Sequence, residues 1–97
     1  MPLFCLIGRD GPLGLELRKQ HRGAHLANME PLEQAGRLRY AGPLLGDDGE
    51  PCGSVIVFEA ADLAAAGELS AADPYVTGGV FAEWEVLGTR QVFPQES

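Results

Sequence analysis

Apolar residues in this chain fall into short runs of two kinds, some continuous and some spaced at helical intervals. Leu3-Phe4-Cys5-Leu6-Ile7 is continuous and stops at Gly8. Such a run before a glycine predicts a strand, and a strand apolar on both sides needs cover on both. Gly8 to Gly14 holds three glycines and Pro12 and reads as a loop. The spacing then turns helical: Leu15, and later His25, Leu26, Met29, Leu32 and Ala35, recur at near three- and four-residue steps. Gly36 supplies the stop, since glycine enters the left-handed conformation that ends helices without steric penalty. Two residues argue against one smooth helix. Gly23 weakens it, and Pro31 removes the bond to the carbonyl of Ala27, so the pattern predicts two pieces or one kinked helix, broken near either position.

Leu38–Leu45 reads as a second strand, with Gly42-Pro43 a local irregularity suited to a sheet edge or a bulge. Asp47-Asp48-Gly49-Glu50 is a turn cluster. Ser54-Val55-Ile56-Val57-Phe58 is the clearest strand, being rich in β-branched and aromatic residues. Asp62 is the N-cap of an alanine-rich helix that Pro74 ends near Asp73. Val80 to Val86 returns to strand character, with Val80, Ala82, Trp84 and Val86 on one face and Phe81, Glu83 and Glu85 opposite. The last residues read as a frayed end.

The order strand, helix, strand, strand, helix, strand is that of a ferredoxin-like α+β domain, βαββαβ, in which two helices cover one face of a four-stranded antiparallel sheet. The other face is left bare. Strands such as Leu3–Ile7 and Val55–Phe58 carry apolar residues on both sides, so two sheets pairing face to face predict a symmetric homodimer.

Ninety-seven residues supply one core and one domain, 1–97, and a composition 45% hydrophobic and 22% charged excludes intrinsic disorder. Fourteen acidic residues against seven basic give a net charge of −7, which lacks the basic surface a nucleic-acid or anionic-membrane binder needs. Cys5 and Cys52 are too few for a disulfide scaffold and lack C-x-x-C spacing. No window approaches the roughly eighteen apolar residues of a membrane span. The start of the chain has no basic export region either, so the expectation is a cytoplasmic protein.

Three motifs carry less than they promise. Gly8-Arg-Asp-Gly11-Pro-Leu-Gly14 is G-x-x-G-x-x-G, not the dinucleotide fingerprint. His21 and His25 are four apart, but Arg22 stands where a zincin needs glutamate, so no metal is expected. The acidic turn lacks the alternating ligands of a calcium loop.

The chain resembles the YciI-like (YCII-related) family of small dimeric α+β barrel proteins along nearly its whole length. The resemblance rests on Arg22-Gly-Ala-His25-Leu26, Gly36-Arg37-Leu38, Ala41-Gly42-Pro43, Gly53-Ser54, Ala72-Asp73-Pro74-Tyr75-Val76 and Gly79-Val80-Phe81, in that order. It implies a single YCII-related domain, a homodimer, a cleft between helices and sheet, and a His–Asp pair facing it, here His25 and Asp73. It also implies chemistry on small ring substrates, since relatives of this kind include a dehydrochlorinase of a chlorinated hydroxyquinol. Pro31 and the alanine-rich second helix depart from the family pattern.

Imidazole titrates near neutrality, and a carboxylate fixes its tautomer and stabilises its cation, so a His25–Asp73 pair would serve acid–base chemistry. The plainer alternative is a half-buried helix histidine and an Asp-Pro helix stop. Arg22 precedes His25 by three residues and follows Arg18 by four, so all three can share a helix face. Arg22 or Arg18 then either holds a ligand carboxylate or phenolate or is a solvated charge. Ser54 lies outside any G-x-S-x-G elbow and reads as a structural or ligand-positioning hydroxyl. Tyr75 packs or orients a substrate, and Gly42-Pro43 shapes the backbone for close approach of a ligand. Together these readings expect a cofactor-free homodimeric enzyme performing proton transfer, elimination or isomerisation on a small molecule. The competing expectation is a non-catalytic small-molecule-binding or accessory module.

Overall fold

Seven elements follow one another in the computed structural model, which describes residues 1–95: β1 (Leu3–Asp10), α1 (Gly14–Gln34), β2 (Leu38–Leu45), β3 (Pro51–Glu59), α2 (Leu63–Ala71), α3 (Pro74–Thr77) and β4 (Phe81–Thr89). The strands form one sheet in the order β2-β3-β1-β4, with every neighbouring pair antiparallel. This is the expected ferredoxin-like arrangement. In the register, Leu6 stands opposite Ile56 on one side and Val86 on the other. Directly opposed residues share a sheet face, so Phe4, Leu6, Ile56, Phe58 and Val86 all point the same way. They meet Met29 of α1 and Ala65 and Ala66 of α2 in the main core. A smaller cluster of Tyr75, Val80 and Phe81 packs with Leu17 and Val76 where α1, α3 and β4 meet.

α1 is one helix through both Gly23 and Pro31. The expected break is absent for two reasons. Gly23 lies on the exposed side, and Pro31 gives up its one bond to the Ala27 carbonyl in the final turn, with only three helical residues beyond it. Gly36, at φ +70°, then takes the left-handed conformation foreseen for the stop.

Gly8, expected to open a loop, lies inside a strand, and it and Gly53 mark close approaches of neighbouring chains. β1 continues through Gly8 to Asp10, and β3 begins at Pro51 rather than Ser54. A side chain at Gly8 would come within 2.6 Å of the Phe81 ring, and one at Gly53 within 2.5 Å of the Gly8 carbonyl. The glycines are there for close packing inside the sheet.

β4 also departs from simple alternation and runs on to Thr89. Its register against β1 shifts between Arg9 and Asp10: Glu83 faces Arg9 and Phe81 faces Asp10. The bulge around Ala82 therefore places Phe81, not Val80 or Ala82, on the Trp84–Val86 face. α2 ends at Ala71, and its N-cap is Asp62, whose carboxylate accepts from Ala65 N–H at 2.8 Å. Pro74 opens α3 rather than only ending α2, since the first helical position needs no N–H. Residues 90–95 carry neither helix nor strand, and the remainder of the expected frayed end lies outside the described residues. No helix among the described residues is long and apolar enough to cross a membrane.

Candidate active site

α1 buries charge where an amphipathic helix would bury leucine. Its buried residues are Gly14, Arg18 and His25, while Leu15 and Leu26 stay 45% and 43% exposed. Positions 18 and 25 lie two turns apart on one stripe, and that stripe faces a cleft between α1 and the β2–β3 half of the sheet. The cleft has a volume of about 450 Å³.

His25 and Asp73 meet in it. Nδ1 of His25 lies 2.7 Å from Oδ1 of Asp73, and both side chains are almost wholly buried. The same oxygen accepts the backbone N–H of Tyr75 at 2.8 Å, so Asp73 caps α3 and holds the imidazole at once. An oxygen already accepting from an amide is an acceptor toward the ring as well, which puts a proton on Nδ1, so that in the neutral imidazole Nε2 is the acceptor. The Tyr75 ring stacks on the imidazole with centroids 3.8 Å apart and planes 4° from parallel, and Phe81 meets Tyr75 edge-on at 6.0 Å. The imidazole is thereby fixed in position by the carboxylate and in tilt by the phenol ring.

A second polar group lies alongside. Arg18 donates from Nε to Oδ2 of Asp10 at 2.7 Å and from Nη2 to Oδ1 at 2.9 Å. Nη2 also reaches the Gly53 carbonyl at 2.7 Å and the Ser54 hydroxyl oxygen at 3.0 Å. Its guanidinium carbon sits 5.0 Å from the Tyr75 ring centroid. Burial works against the Arg18 charge, but the hydrogen bonds and the negative charge of Asp10 outweigh it and hold the guanidinium more firmly protonated than usual. Burial pushes the Tyr75 phenol above its ordinary range, with the cations of Arg18 and Arg22 pulling the other way. A side chain at Gly14 would come within 2.5 Å of the Asp10 carboxylate, so this glycine makes room for the pair.

Six of the seven residues singled out from sequence line the cavity: Arg22, His25, Gly42, Pro43, Ser54 and Tyr75. Asp73 does not line it and reaches it through His25. Arg22 is exposed and makes no hydrogen bond or ion pair among the described residues. Asp10 offsets Arg18, so Arg22 and Lys19 against Glu50 leave the lining cationic in a chain whose net charge is −7. Sequence reasoning missed Asp10, assigned to a loop, and took Arg18 for an anion holder or a solvated charge rather than the buried partner of Asp10. The seven-residue step from Arg18 to His25 was the available signal; the partner at Asp10 had none. No group of three or more His, Cys, Asp or Glu is placed to hold a metal among the described residues. A larger opening, about 790 Å³, lies by Met1, Arg39, Glu59 and the segment after β4. It gathers no buried histidine or carboxylate pair, so size alone does not make it the reactive site.

Comparison with known proteins gives the family and a solved relative of the same fold. The YCII-related domain matches residues 2–90. Protein YciI of Escherichia coli O6:H1 is 36% identical over 97 aligned residues, covering 94% of this chain and 99% of the relative. An uncharacterized protein of Haemophilus influenzae is 35% identical over 93% of this chain and 98% of its own. Among solved structures, the 5-chloro-2-hydroxyhydroquinone dehydrochlorinase TftG of Burkholderia phenoliruptrix AC1100, in complex with 2,5-dihydroxybenzoquinone, superposes with a TM-score of 0.81. It is 31% identical, with 91% of this chain and 93% of that one covered.

Proposed function

The chain belongs to the YCII-related family, and on that premise we propose that it is a small homodimeric enzyme in which His25 is general base and acid and Asp73 orients it. The observation that carries this reading is the 2.7 Å contact between His25 Nδ1 and Asp73 Oδ1 at the wall of a cavity. With Nδ1 committed to the carboxylate, Nε2 accepts a proton from the substrate, and Asp73 stabilises the imidazolium that results. The substrate class is a small ring bearing ionisable hydroxyls. A cavity of about 450 Å³ is of small-molecule size, and its cationic lining favours a phenolate or enolate.

The likeness to TftG supports elimination as the reaction. For a chlorinated hydroxyhydroquinone, Nε2 takes one ring-hydroxyl proton and returns it to the chlorine-bearing carbon, forming a C–H bond as the ring becomes a keto tautomer; a second hydroxyl proton then passes to Nε2 as the C–Cl pair leaves as chloride, so HCl is lost, a hydroxyquinone remains and no redox partner is needed. The homodimer is part of the proposal because the outer sheet face holds Cys5, Ile7, Val55 and Val57 only half-buried.

A panel of small hydroxylated rings screened by thermal shift tests the ligand class, since binding to the folded state raises the melting temperature. Asp73→Asn then tests the mechanism. It keeps a side chain of the same shape but no longer secures the imidazole tautomer, so kcat falls by about 10²-fold or more while ligand still binds. Binding with no turnover by the wild type would assign the cavity to a non-catalytic binding module instead.

A further inference from the structure

Ser54 occupies an unusual position for a hydroxyl. It is only 4% exposed, it lines the cavity, and its oxygen accepts from Arg18 Nη2 at 3.0 Å. It donates to no acceptor among the described residues. A serine has one O–H and two lone pairs, so a cation on the oxygen side turns the O–H away from itself. The cavity is what remains for that O–H to meet, and a buried donor left without an acceptor is costly.

Arg18 is itself immobilised. Its Nε is held by Asp10, and the two hydrogens of Nη2 are divided among Asp10, the Gly53 carbonyl and Ser54. Asp10 also offsets its charge, so Arg18 serves to polarise and aim the hydroxyl more than to hold an anion directly.

We propose that Asp10, Arg18 and Ser54 form an oxygen anchor, in which the Ser54 hydroxyl donates a hydrogen bond to a carbonyl or phenolate oxygen of the ring on which His25 acts. This rests on the acid–base reading of the same cavity and narrows its substrate class. The ligand carries oxygen at two or more ring positions, one read by Ser54 and another left for His25 or for the unpaired guanidinium of Arg22 at the mouth. Ser54 keeps its proton throughout; it forms no bond to the substrate. Asp10 and Arg18 are positioning residues. A ring without an oxygen at the anchor leaves the hydroxyl unsatisfied and is rejected, as sites built around a hydrogen bond reject analogues that lack the group.

Calorimetric titration with 2,5-dihydroxybenzoquinone tests the anchor. The wild type binds, Ser54→Ala binds about tenfold more weakly or worse with little change in melting temperature, and Ser54→Thr, which keeps the hydroxyl, stays within about threefold of the wild type. Wild-type affinity in Ser54→Ala overturns the anchor. Weak binding by both Ala and Thr overturns it too, because the hydroxyl is then not what the ligand reads. No binding to the wild type at millimolar probe overturns the ligand class. Turnover is the separate readout for His25: a His25→Asn variant that binds the probe normally but reacts undiminished sinks the acid–base reading and leaves the Ser54 dependence standing.

Discussion

Buried side chains at the site do two things each. Asp73 is both the cap of α3 and the partner of His25, and Tyr75 is both core and the surface on which the imidazole lies. Such double use explains why the site was only partly legible in sequence. The positions of His25, Asp73, Ser54 and Tyr75 could be singled out, but the stacking of Tyr75 on His25 depends on α3, which Pro74 starts and no periodicity announces. Arg18 was hidden for another reason: a charged residue on a helix reads as solvated unless its counter-ion is known, and Asp10 lies on a strand whose end Gly8 and the glycines beyond it disguised as a loop. Breaking that buried pair by Arg18→Met strands a carboxylate and lowers stability by about 3–5 kcal/mol, measurable by urea unfolding. Tyr75 predicts a pH effect. Burial raises its pKa above the ordinary 10.0, so the folded state binds the phenolic proton more tightly than the unfolded chain does. The resulting stability is complete below the ordinary value and lost as pH rises through the folded one. Melting temperature therefore declines on the alkaline side, and Tyr75→Phe shows a shallower decline; equal slopes for the two proteins contradict this origin.

Among the elements, the succession of the four strands with α1 and α2 followed from alternation and caps, while α3 and the boundaries did not. The continuous apolar run Leu3–Ile7 and the β-branched run Val55–Phe58 are central neighbours in the sheet, as their two-sided apolarity required. Glycine was the main source of error, because one residue type serves opposite ends. Gly36 ends a helix, Gly8 and Gly53 let chains approach inside a sheet, and Gly23 does neither. Nothing lies within 4 Å of where a Gly23 side chain would begin, and the position is mid-helix. Gly23→Ala therefore stabilises the fold by about 0.5–1 kcal/mol, seen as a higher melting temperature with unchanged ligand binding. A lowered melting temperature would mean that the helix needs glycine there.

For the molecule as a whole, the helices leave one sheet face uncovered. Cys5, Ile7, Val55 and Val57 run across its centre, flanked by Tyr40 and Leu87 at 56% and 48% exposed. A homodimer through that face predicts a sedimentation mass twice that of the chain at micromolar concentration, and Val57→Lys, which places charge at its centre, yields monomer. A monomeric wild type would contradict the pairing. The two chain halves also meet at the site, with His25 contributed by the first and Asp73, behind it, by the second. The claim that this meeting is chemical is tested most directly by chloride release from 5-chloro-2-hydroxyhydroquinone, measured for the wild type and His25→Asn side by side. The wild type turns the compound over and His25→Asn is slower by about 10²–10⁴-fold; a variant as fast as the wild type, or a wild type that releases no chloride, contradicts it.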